Sequence, residues 1–380
     1  GVAFKLAWQV AREICGTSKV DDRMKDFLVS ATSLAALGTI ADVVPLVGEN
    51  RILATFGLRT LPQSRHPGLR ALLDSTGLTD QTLDAYHVGF MLAPRINACG
   101  RLGHAQLAVE LLTIAPEKRC LEIAAYLAQQ NTERQRVERE IAEQAVAQAV
   151  AGGAEDPSVR ALVLANEAWH GGVIGIVASR IVERFGRPAF LIAVNGDGCG
   201  HGSCRSIAGF NIAEALAACG EHLLTHGGHA MAGGLRIKCE KIDDFRKAML
   251  AYAAAKIPTE QLSPTLNIDA ETTLAAMNQN VVEHLGRMAP FGQGNPAPVV
   301  AVRGCELMMP PKRMGKTGQA VSLMLRQNGT TMRAVGFGMG DLADALAGVT
   351  KIDIAGEPNL NKFNGRTSVE IKLKDVDWER

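Results

Sequence analysis

The chain has 380 residues and almost balanced charge, with 40 Lys plus Arg against 39 Asp plus Glu and a formal net charge of +1. This length allows two or three domains and excludes a miniature scaffold held by disulfides or metal. Because 47% of the residues are hydrophobic and only 4% are aromatic, we expect cores of Ala, Leu, Val and Ile, and any affinity for nucleic acid must come from local patches.

The eight cysteines contain no Cys-x-x-Cys pair, which indicates a reducing cytoplasm rather than a secreted, disulfide-bonded protein. Residues 27–47 are apolar and about long enough to cross a bilayer, but they include Asp42 and several Ser, Thr and Gly residues. We therefore predict buried core there and no membrane partner. The chain opens with Gly1 and an uncapped amphipathic helix, without a signal peptide; we interpret it as a fragment that lacks its natural beginning.

The first 115 residues read as helices with two loops. The loop GTIADVVPL at 38–46 contains Pro45, which must end any helix, and APRINACGRLG at 93–103 is bounded by Pro and Gly. From Glu117 to Val150 there is no Pro or Gly, and apolar residues keep a helical period. The pattern predicts one long helix that bridges two lobes and ends at AGGAEDP, residues 151–157.

The next 100 residues predict an α/β module. An apolar run at 159–165, the helical VIGIVASRIVERFG and the apolar AFLIAV at 189–194 form a β-α-β pattern, which implies a parallel sheet. Further elements complete the module: a helix at 212–219, the glycine-dense GGHAMAGG at 227–234, an alternating LRIK and a helix from Ile242 to about Lys256.

After Pro258 the pattern favours β structure. The dipeptides Asn328-Gly329 and Asn364-Gly365 each lie between β-rich runs, a strong hairpin signal, and short strands in this number predict a small barrel or sandwich. Residues 301–340 carry six basic residues against the single acidic Glu306, namely Arg303, Lys312, Arg313, Lys316, Arg326 and Arg333. We interpret this local excess as a cationic surface for single-stranded nucleic acid, although a solvated basic face is the alternative and stacking aromatics are scarce.

Two sets of polar residues in the first 115 positions are candidates for chemistry. Asp42 lies among apolar residues, where an ionised carboxylate needs a partner such as a metal ion; a helix-capping or turn Asp is the alternative. Arg95, Asn97 and Arg101 place guanidinium forks and an amide close together, as phosphate contacts require. An exposed, salt-bridged loop would show the same residues.

The α/β module contributes two more sets. In HGSCRS, Ser203, Arg205 and Ser206 stand beside glycines, so hydroxyls, a guanidinium and backbone N–H groups can converge on an anion; a polar strand edge is the alternative. In GGHAMAGG, Gly227 and Gly228 permit close approach of a ligand to the backbone, with the His229 imidazole as donor or proton shuttle, although such a His is more often structural. The segment WHGGVIG at 169–175 resembles a phosphate-binding turn between a strand and a helix, but it matches neither the Walker A nor the dinucleotide pattern.

In chain order, six motifs resemble the RecJ family of single-strand-specific DNA exonucleases in the DHH phosphoesterase superfamily. The motifs are GTIADVVPL, APRINACGRLG, WHGGVIGIVASRIVERFGRP, HGSCRSIAGFN, GGHAMAGG and APFGQGNPAP. The resemblance implies a multidomain α/β architecture with four parts: the remainder of a DHH catalytic domain (1–115), a connecting helix (116–152), an α/β DHHA1 domain (153–258) and a β-barrel OB-fold (259–380).

The resemblance also implies roles for the candidate residues. Asp42 corresponds to a metal-ligand aspartate, and Arg95, Asn97 and Arg101 match a motif that faces the active site and the DNA phosphates. Further roles follow for the second half of the chain: Ser203 and Arg205, with Ser206, hold the terminal 5′-phosphate, and Gly227, Gly228 and the catalytic His229 line the substrate cleft. Cys204 stands where the family usually has glycine, and we expect it to narrow the phosphate pocket.

The implied function is a metal-dependent 5′→3′ exonuclease of DNA repair and recombination, which releases 5′-mononucleotides with two Mg²⁺ or Mn²⁺ ions. Single-stranded DNA with a 5′-phosphate is the implied substrate, with single-strand DNA-binding protein and a helicase as partners. The OB-fold, through Lys312, Arg313 and Lys316, would guide the strand inward. No Asp-His-His triplet occurs, so we expect most metal ligands to be missing and the chain alone to be inactive. Two alternatives are a noncatalytic single-strand DNA-binding scaffold and a phosphodiesterase for short RNA or cyclic dinucleotides.

Overall fold

The computed structural model describes residues 1–17, 19–102, 105–262, 265–363 and 365–378. The helices are α1 Val2–Cys15, α2 Asp22–Ala41, α3 Gly48–Thr60, α4 Pro67–Thr76, α5 Ala93–Leu102, α6 Gln106–Leu111, α7 Glu117–Ala151, α8 Ile174–Phe185, α9 Ile212–Ala218, α10 Ile242–Lys256, α11 Gln279–Gly286 and α12 Leu342–Ala345. The strands are β1 Leu162–Asn166, β2 Ala189–Val194, β3 Cys199–Arg205, β4 Thr225–Gly228, β5 Ala232–Lys238, β6 Ala270–Glu271, β7 Val300–Leu307, β8 Lys312–Met314, β9 Ala320–Gln327, β10 Thr330–Phe337, β11 Lys351–Phe363 and β12 Arg366–Asp377.

The chain forms two compact units. The first unit contains Gly1–Ser64, Asp80–Gly89 and Thr265–Arg380, and the second unit contains Arg65–Thr79 and Phe90–Pro264. Within the described ranges, no helix combines the length and the apolar character needed to cross a membrane. Our prediction of buried core for residues 27–47 holds for one side of α2 only, because Leu37 and Ile40 are buried whereas Phe27 and Val29 are exposed.

A five-stranded sheet forms the centre of the second unit, in the order β1-β2-β3-β5-β4. The predicted parallel pair is confirmed for β1 and β2, but β3, β4 and β5 pair antiparallel, so the sheet is mixed. Two cores sandwich the sheet. One contains α8 and the second half of α7, and the other contains α9 and α10.

The predicted long helix is confirmed as α7, with 35 residues. Its first half packs against α4, α5 and α6, and its second half packs against α8 and β1. The buried residues Ile123 and Leu127 serve the first set of contacts, and Ile141 and Ala145 serve the second. A single helix therefore joins the helical and sheet-containing parts of the second unit.

A β-barrel forms the larger part of the first unit. The strands follow the order β7-β11-β12-β10-β9, and β9 pairs back onto β7, which closes the ring. Only the β10–β12 contact in the ring is parallel, as expected for a five-stranded Greek-key barrel of the OB type. The barrel prediction is thus confirmed, with a core that includes Val302, Leu323, Leu325 and Ile371.

The hairpin predicted at Asn328-Gly329 is confirmed. Gln327 pairs with Thr330, and the two loop residues have φ of 49° and 81°, as a type I′ turn requires. For the second predicted hairpin, β11 and β12 pair up to Phe363 and Arg366. Asn364 lies outside the described residues.

Two segments that we predicted as loops are partly or wholly helical. Residues 38–41 continue α2, which ends only at Ala41. Residues 93–102 form α5, directly after a π-helical turn at His87–Leu92. Pro94 is tolerated at the second position of α5, where the π-helical turn changes to an α-helix, because its missing N–H does not interrupt a regular run of α-helical hydrogen bonds. The prediction failed because proline was taken as a helix breaker without regard to its position.

Candidate functional site

Strand β3 presents Ser203 and Arg205 on the side of the sheet that faces α8. Successive residues of a strand alternate between faces, and the intervening Cys204 is fully buried in the core with α9 and α10. The Nη1 atom of Arg205 donates to the Ser203 hydroxyl at 3.3 Å and to the Cys204 carbonyl at 2.8 Å. Burial raises the pKa of the Cys204 thiol to about 12. Our expectation that Cys204 narrows the phosphate pocket is therefore wrong, because its side chain points to the opposite face.

Gly175, in the first turn of α8, lies directly against this pair. A Cβ at this position would be 2.9 Å from the Ser203 hydroxyl oxygen and 3.4 Å from Arg205 Nη2. Among the described residues, no backbone acceptor takes the Gly175 N–H, as is usual for the first turn of a helix. The hydroxyl and the guanidinium therefore lie against the first turn of α8, at the positive end of a helix where the Gly175 N–H is not used by the backbone.

Arg101 brings a second guanidinium to this region. Its Nη1 donates to the Gly172 carbonyl at 3.1 Å, and a Cβ on Gly172 would be 2.6 Å from the Arg101 carbonyl oxygen. Glycine thus lets the end of α5 rest on the turn before α8. Burial, together with the positive charge of Arg101, lowers the pKa of Arg205. A partly buried cation next to a second cation is unfavourable unless an anion compensates the charge.

Beside Ser203, the sheet carries almost no side chains. Ser203 pairs with Gly234 on β5, and Gly234 pairs with Gly227 on the edge strand β4, and both glycines are exposed. Gly228 has φ of 148° and its Cβ would lie 2.4 Å from the Ala232 carbonyl oxygen, so only glycine fits there. The result is a bare backbone surface next to the cationic pair.

The turn that carries His229 is tied to the segment after β3. The Met231 carbonyl accepts from the Ser206 N–H at 3.1 Å, and the His229 N–H donates to Ala232 O at 2.8 Å. The His229 side chain is exposed. Ser206 is buried, and its hydroxyl donates to the Phe210 carbonyl at 2.6 Å. This hydroxyl therefore stabilises the segment from Ser206 to Phe210 and is not directed at the anion site.

Arg95 and Asn97 lie earlier on α5. Arg95 Nη1 donates to the Met91 carbonyl at 2.6 Å, and its Nε is buried without a hydrogen-bond partner among the described residues. Burial lowers the pKa of this guanidinium. A buried, unpaired N–H is costly, which fits a group that waits for an anionic acceptor. Asn97 is exposed.

Asp42, in the first unit, caps the C-terminus of α2. Val43 follows in the left-handed region with φ of 54°, and the N–H groups of Val43 and Val44 donate to Ile40 O and Thr39 O. This is a Schellman ending with valine where glycine is usual, so the backbone is strained. The loop after it is fixed because the Leu46 N–H donates to Gln293 O at 2.7 Å. Asp42 therefore lies at a helix-capping position, which we gave as the alternative to a metal ligand.

The Asp42 side chain is exposed and lies at the negative end of the helix dipole, where a carboxylate is disfavoured. An unpaired carboxylate held there is suited to a cation. However, no group of three or more His, Cys, Asp or Glu side chains in the described ranges could hold a metal ion. The donor set in this part of the chain therefore does not fit a complete metal site.

The cationic surface that the sequence predicted on the barrel is largely neutralised by ion pairs. Four of the six basic residues of 301–340 are ion-paired: Arg303 with Glu271 and Asp353, Arg313 with Asp341 and Asp344, Arg326 with Glu306, and Arg333 with Glu370. Lys312 and Lys316 have no carboxylate partner among the described residues. Of these acidic partners, only Glu306 lies within residues 301–340. A charge count over that segment alone could not reveal the others.

Sequence reasoning missed several residues near the site. Gly172 and Gly175 were available in WHGGVIG, whose glycines signal close backbone approach, but we set the segment aside because it matches no nucleotide motif. Arg134, Glu138 and Arg180 gave no signal, since a charged residue on a helix is ordinarily solvated. Chemically, the arrangement of Gly175, Ser203, Arg205 and Arg101 can bind a phosphate group with a hydroxyl, a backbone N–H and two guanidinium groups.

Comparisons with known proteins agree with this fold. The RecJ OB domain model matches residues 268–375, and the DHHA1 domain model matches residues 158–255. Among solved structures, a Thermus thermophilus RecJ in complex with Mg²⁺ has a TM-score of 0.79 and 34% identity over 93% of this chain and 53% of its own, and the Mn²⁺ complex has a TM-score of 0.80 with 33% identity, over 93% of this chain and 50% of its own.

Sequence relatives give the same result. The single-stranded-DNA-specific exonuclease RecJ of Bacillus subtilis is 34% identical over 100% of this chain and 47% of its own length. The RecJ of Haemophilus influenzae is 31% identical over 99% of this chain and 67% of its own length. The chain spans about half the length of the first of these relatives. The matched domains, the shared fold and the matched length together show that this chain belongs to the RecJ family.

Proposed function

We propose that this chain is part of a metal-dependent exonuclease that degrades single-stranded DNA from the 5′ end and releases 5′-mononucleotides. Its second unit binds the terminal 5′-phosphate through Ser203, Arg205 and the Gly175 N–H, with Arg101 beside them. The relatives named above are single-stranded-DNA-specific exonucleases, which supports the same substrate class here.

The observation that carries the proposal is the contact of Gly175 with Ser203 and Arg205. Three kinds of donor lie next to one another at this contact, and the adjacent surface of β5 and β4 is bare backbone. A terminal phosphate has more negative charge and more free oxygens than a phosphodiester, so such a site favours strand ends over internal positions. Binding one end sets the polarity of degradation.

The glycine surface and His229 have a second role in the proposal. A nucleotide whose phosphate lies at Ser203 can rest on Gly234 and Gly227 without steric hindrance. The exposed His229 imidazole, held by the short turn between β4 and β5, would donate a hydrogen bond to the strand or move a proton.

Hydrolysis requires more than the described residues supply. The exposed Asp42 carboxylate could provide one ligand to Mg²⁺ or Mn²⁺, the ions present in the Thermus thermophilus structures, and such ions would activate water for phosphodiester cleavage. Since the described part of this chain gathers no set of three candidate ligands, we propose that the other ligands lie outside these 380 residues.

The test compares binding of 5′-phosphorylated and 5′-hydroxyl oligothymidylate to this chain, measured by fluorescence anisotropy. We expect roughly 10- to 100-fold tighter binding of the phosphorylated strand, because hydrogen bonds to charged groups contribute about 1.5–3 kcal/mol. Arg205→Gln should remove the preference. Arg184→Gln, an exposed change in the last turn of α8, should retain it.

Equal affinity for both strands would contradict the proposed phosphate site. We also expect no digestion of the phosphorylated strand by this chain in Mg²⁺ or Mn²⁺. Efficient Mn²⁺-dependent digestion by these 380 residues would show that the metal ligands have been assigned wrongly. A preference for the phosphate that persists in a longer, metal-binding but inactive protein would favour the scaffold alternative.

A further inference from the structure

A buried carboxylate on α7 joins two arginines near the proposed phosphate site. Glu138 is only 2% exposed. Its Oε2 accepts a hydrogen bond from Arg134 Nη1 at 2.7 Å, and its Oε1 forms an ion pair with Arg180 Nη2, on α8, at 2.5 Å. A charge buried to this extent persists only when it is paired and hydrogen-bonded, and Glu138 meets that condition through these two arginines.

Asn131 fixes the orientation of Arg134. The Asn131 side-chain oxygen accepts from Arg134 Nε at 3.2 Å and from Nη2 at 3.1 Å, and Asn131 is itself buried. Asn131, Arg134 and Glu138 have the spacing of neighbours on one side of a helix. The guanidinium of Arg134 is therefore held in one position from two sides.

The network lies where α7 passes from α5 to α8, because α7 packs against both. Arg101 ends α5 and touches Gly172, three residues before Gly175. Burial lowers the pKa of Arg134, Glu138 raises it, and the charges of Arg101 and Arg180 lower it further. Two guanidinium groups thus share the Glu138 carboxylate, and the positive charge of Arg101 also acts on Arg134.

These arginines keep donors that the protein does not use. A guanidinium has five N–H donors. The Nε and Nη1 of Arg180 have no acceptor among the described residues, and the described partner of Arg101 is the Gly172 carbonyl alone. An excess of oriented donors and positive charge suits an oxyanion, because only an added anion removes the repulsion between the arginines.

We propose that Arg101, Arg134 and Arg180 form a second phosphate subsite beside the Ser203–Arg205 site, and that Glu138 is the positioning residue that orients two of them. The two subsites together select a strand end that carries two phosphates over a mononucleotide. This inference rests on the proposed function. It also gives a reason for the mononucleotide product to dissociate, because the product keeps only one phosphate and does not occupy the second subsite.

Calorimetric titration of this chain with 5′-phosphorylated thymidine mononucleotide and with 5′-phosphorylated thymidine dinucleotide tests the inference. We expect the dinucleotide to bind at least roughly tenfold tighter, as one added charge-assisted contact implies. Arg180→Gln should bring the ratio of the two affinities close to one while the mononucleotide affinity stays the same. Arg205→Gln should weaken both ligands, and Arg184→Gln should change neither.

Glu138→Gln tests the positioning role, because it keeps the shape of the side chain and removes its charge. We expect it to lower the dinucleotide affinity and leave the mononucleotide affinity unchanged. If this buried change unfolds the protein, Arg180→Gln decides the matter, since Arg180 is half exposed. An unchanged affinity ratio in Arg180→Gln would overturn the second subsite. A wild-type ratio near one would also overturn it and leave the proposed function intact, whereas no binding of either ligand would overturn the proposed function itself.

Discussion

Two regions of this protein are similar in sequence, because both have basic residues among glycines. In the fold, those basic residues have different partners. Around β3, Arg205 and Arg101 lie close together, and the carbonyl and hydroxyl groups they contact are neutral. On the barrel, Arg303, Arg313 and Arg326 are paired with carboxylates. A positive residue attracts an anionic ligand only if the protein has not already neutralised it. The lesson is that unpaired donors, rather than the number of basic residues, indicate the binding site.

The backbone separates the two regions as well. At β3, glycines bring the first turn of α8 and the β4–β5 surface close to the cations, so backbone N–H groups join the side chains. In the barrel, the paired arginines extend from strands whose backbone groups are already used in the sheet. The first region is suited to a compact, doubly charged group, and the second to weak contacts along a strand.

The largest effect should come from Gly175→Ala, which tests the role of the backbone. Its methyl group would lie 2.9 Å from the Ser203 hydroxyl oxygen, so we expect a loss of roughly tenfold in affinity for a 5′-phosphorylated strand. The free energy of unfolding should fall by no more than about 2 kcal/mol, because overpacking at a buried contact costs about 1–3 kcal/mol and the helix preference of alanine over glycine offsets up to about 1 kcal/mol of it. Anisotropy and urea unfolding measure the two quantities.

Gly171→Ala is the matched control, since a Cβ at Gly171 meets nothing within 4 Å. It should leave the affinity as it is. A Gly175→Ala protein with wild-type affinity would mean that the space between α8 and β3 is not where the phosphate binds.

A smaller effect is expected on the barrel, and it sharpens the comparison. Lys312→Gln combined with Lys316→Gln should reduce the salt dependence of single-strand binding by a slope of about 1.4, because each lost phosphate contact removes about 0.7. Arg313→Gln should change the slope less than either lysine does, because Asp344 already pairs with Arg313 at 2.6 Å. The measurement is affinity as a function of salt concentration.

Asp341→Asn combined with Asp344→Asn is the reverse experiment. It frees Arg313 from both carboxylates and should steepen the salt dependence. If Arg313→Gln reduced the salt dependence of single-strand binding as much as the two lysine changes together, the ion pairs would not be what weakens binding at this surface.

The smallest effect on binding is expected for Cys204→Gly, which removes the thiol side chain. Cys204 points into the core with Phe190 and Leu216, so its loss should cost about 1–3 kcal/mol of unfolding free energy by leaving a cavity and a flexible strand residue. Affinity for the phosphorylated strand should be unchanged. A gain in affinity without a loss of stability would show that the thiol does restrict the phosphate site.

Local patterns predicted those elements whose signal is contained in their own residues. The long helix α7 follows from an unbroken apolar period, and the hairpin at Asn328-Gly329 follows from the positive φ that both residues accept. The end of α2 was misplaced because a valine, Val43, adopts the left-handed conformation usual for glycine. The helix α5 was missed because Pro94 stands at its start, where proline is harmless.

By itself, the sequence determined the residue types of the site, since Ser203, Arg205 and Arg101 are recognisable from their motifs, and it determined the α/β and β parts of the chain through hydrophobic periodicity. Only the tertiary structure decided which charges are neutralised and which donors remain free. The reason is that ion pairs such as Arg313 with Asp344 and Arg180 with Glu138 join residues about 30 to 40 positions apart, and electrostatic energy depends on distance in space, which periodicity along a chain does not encode.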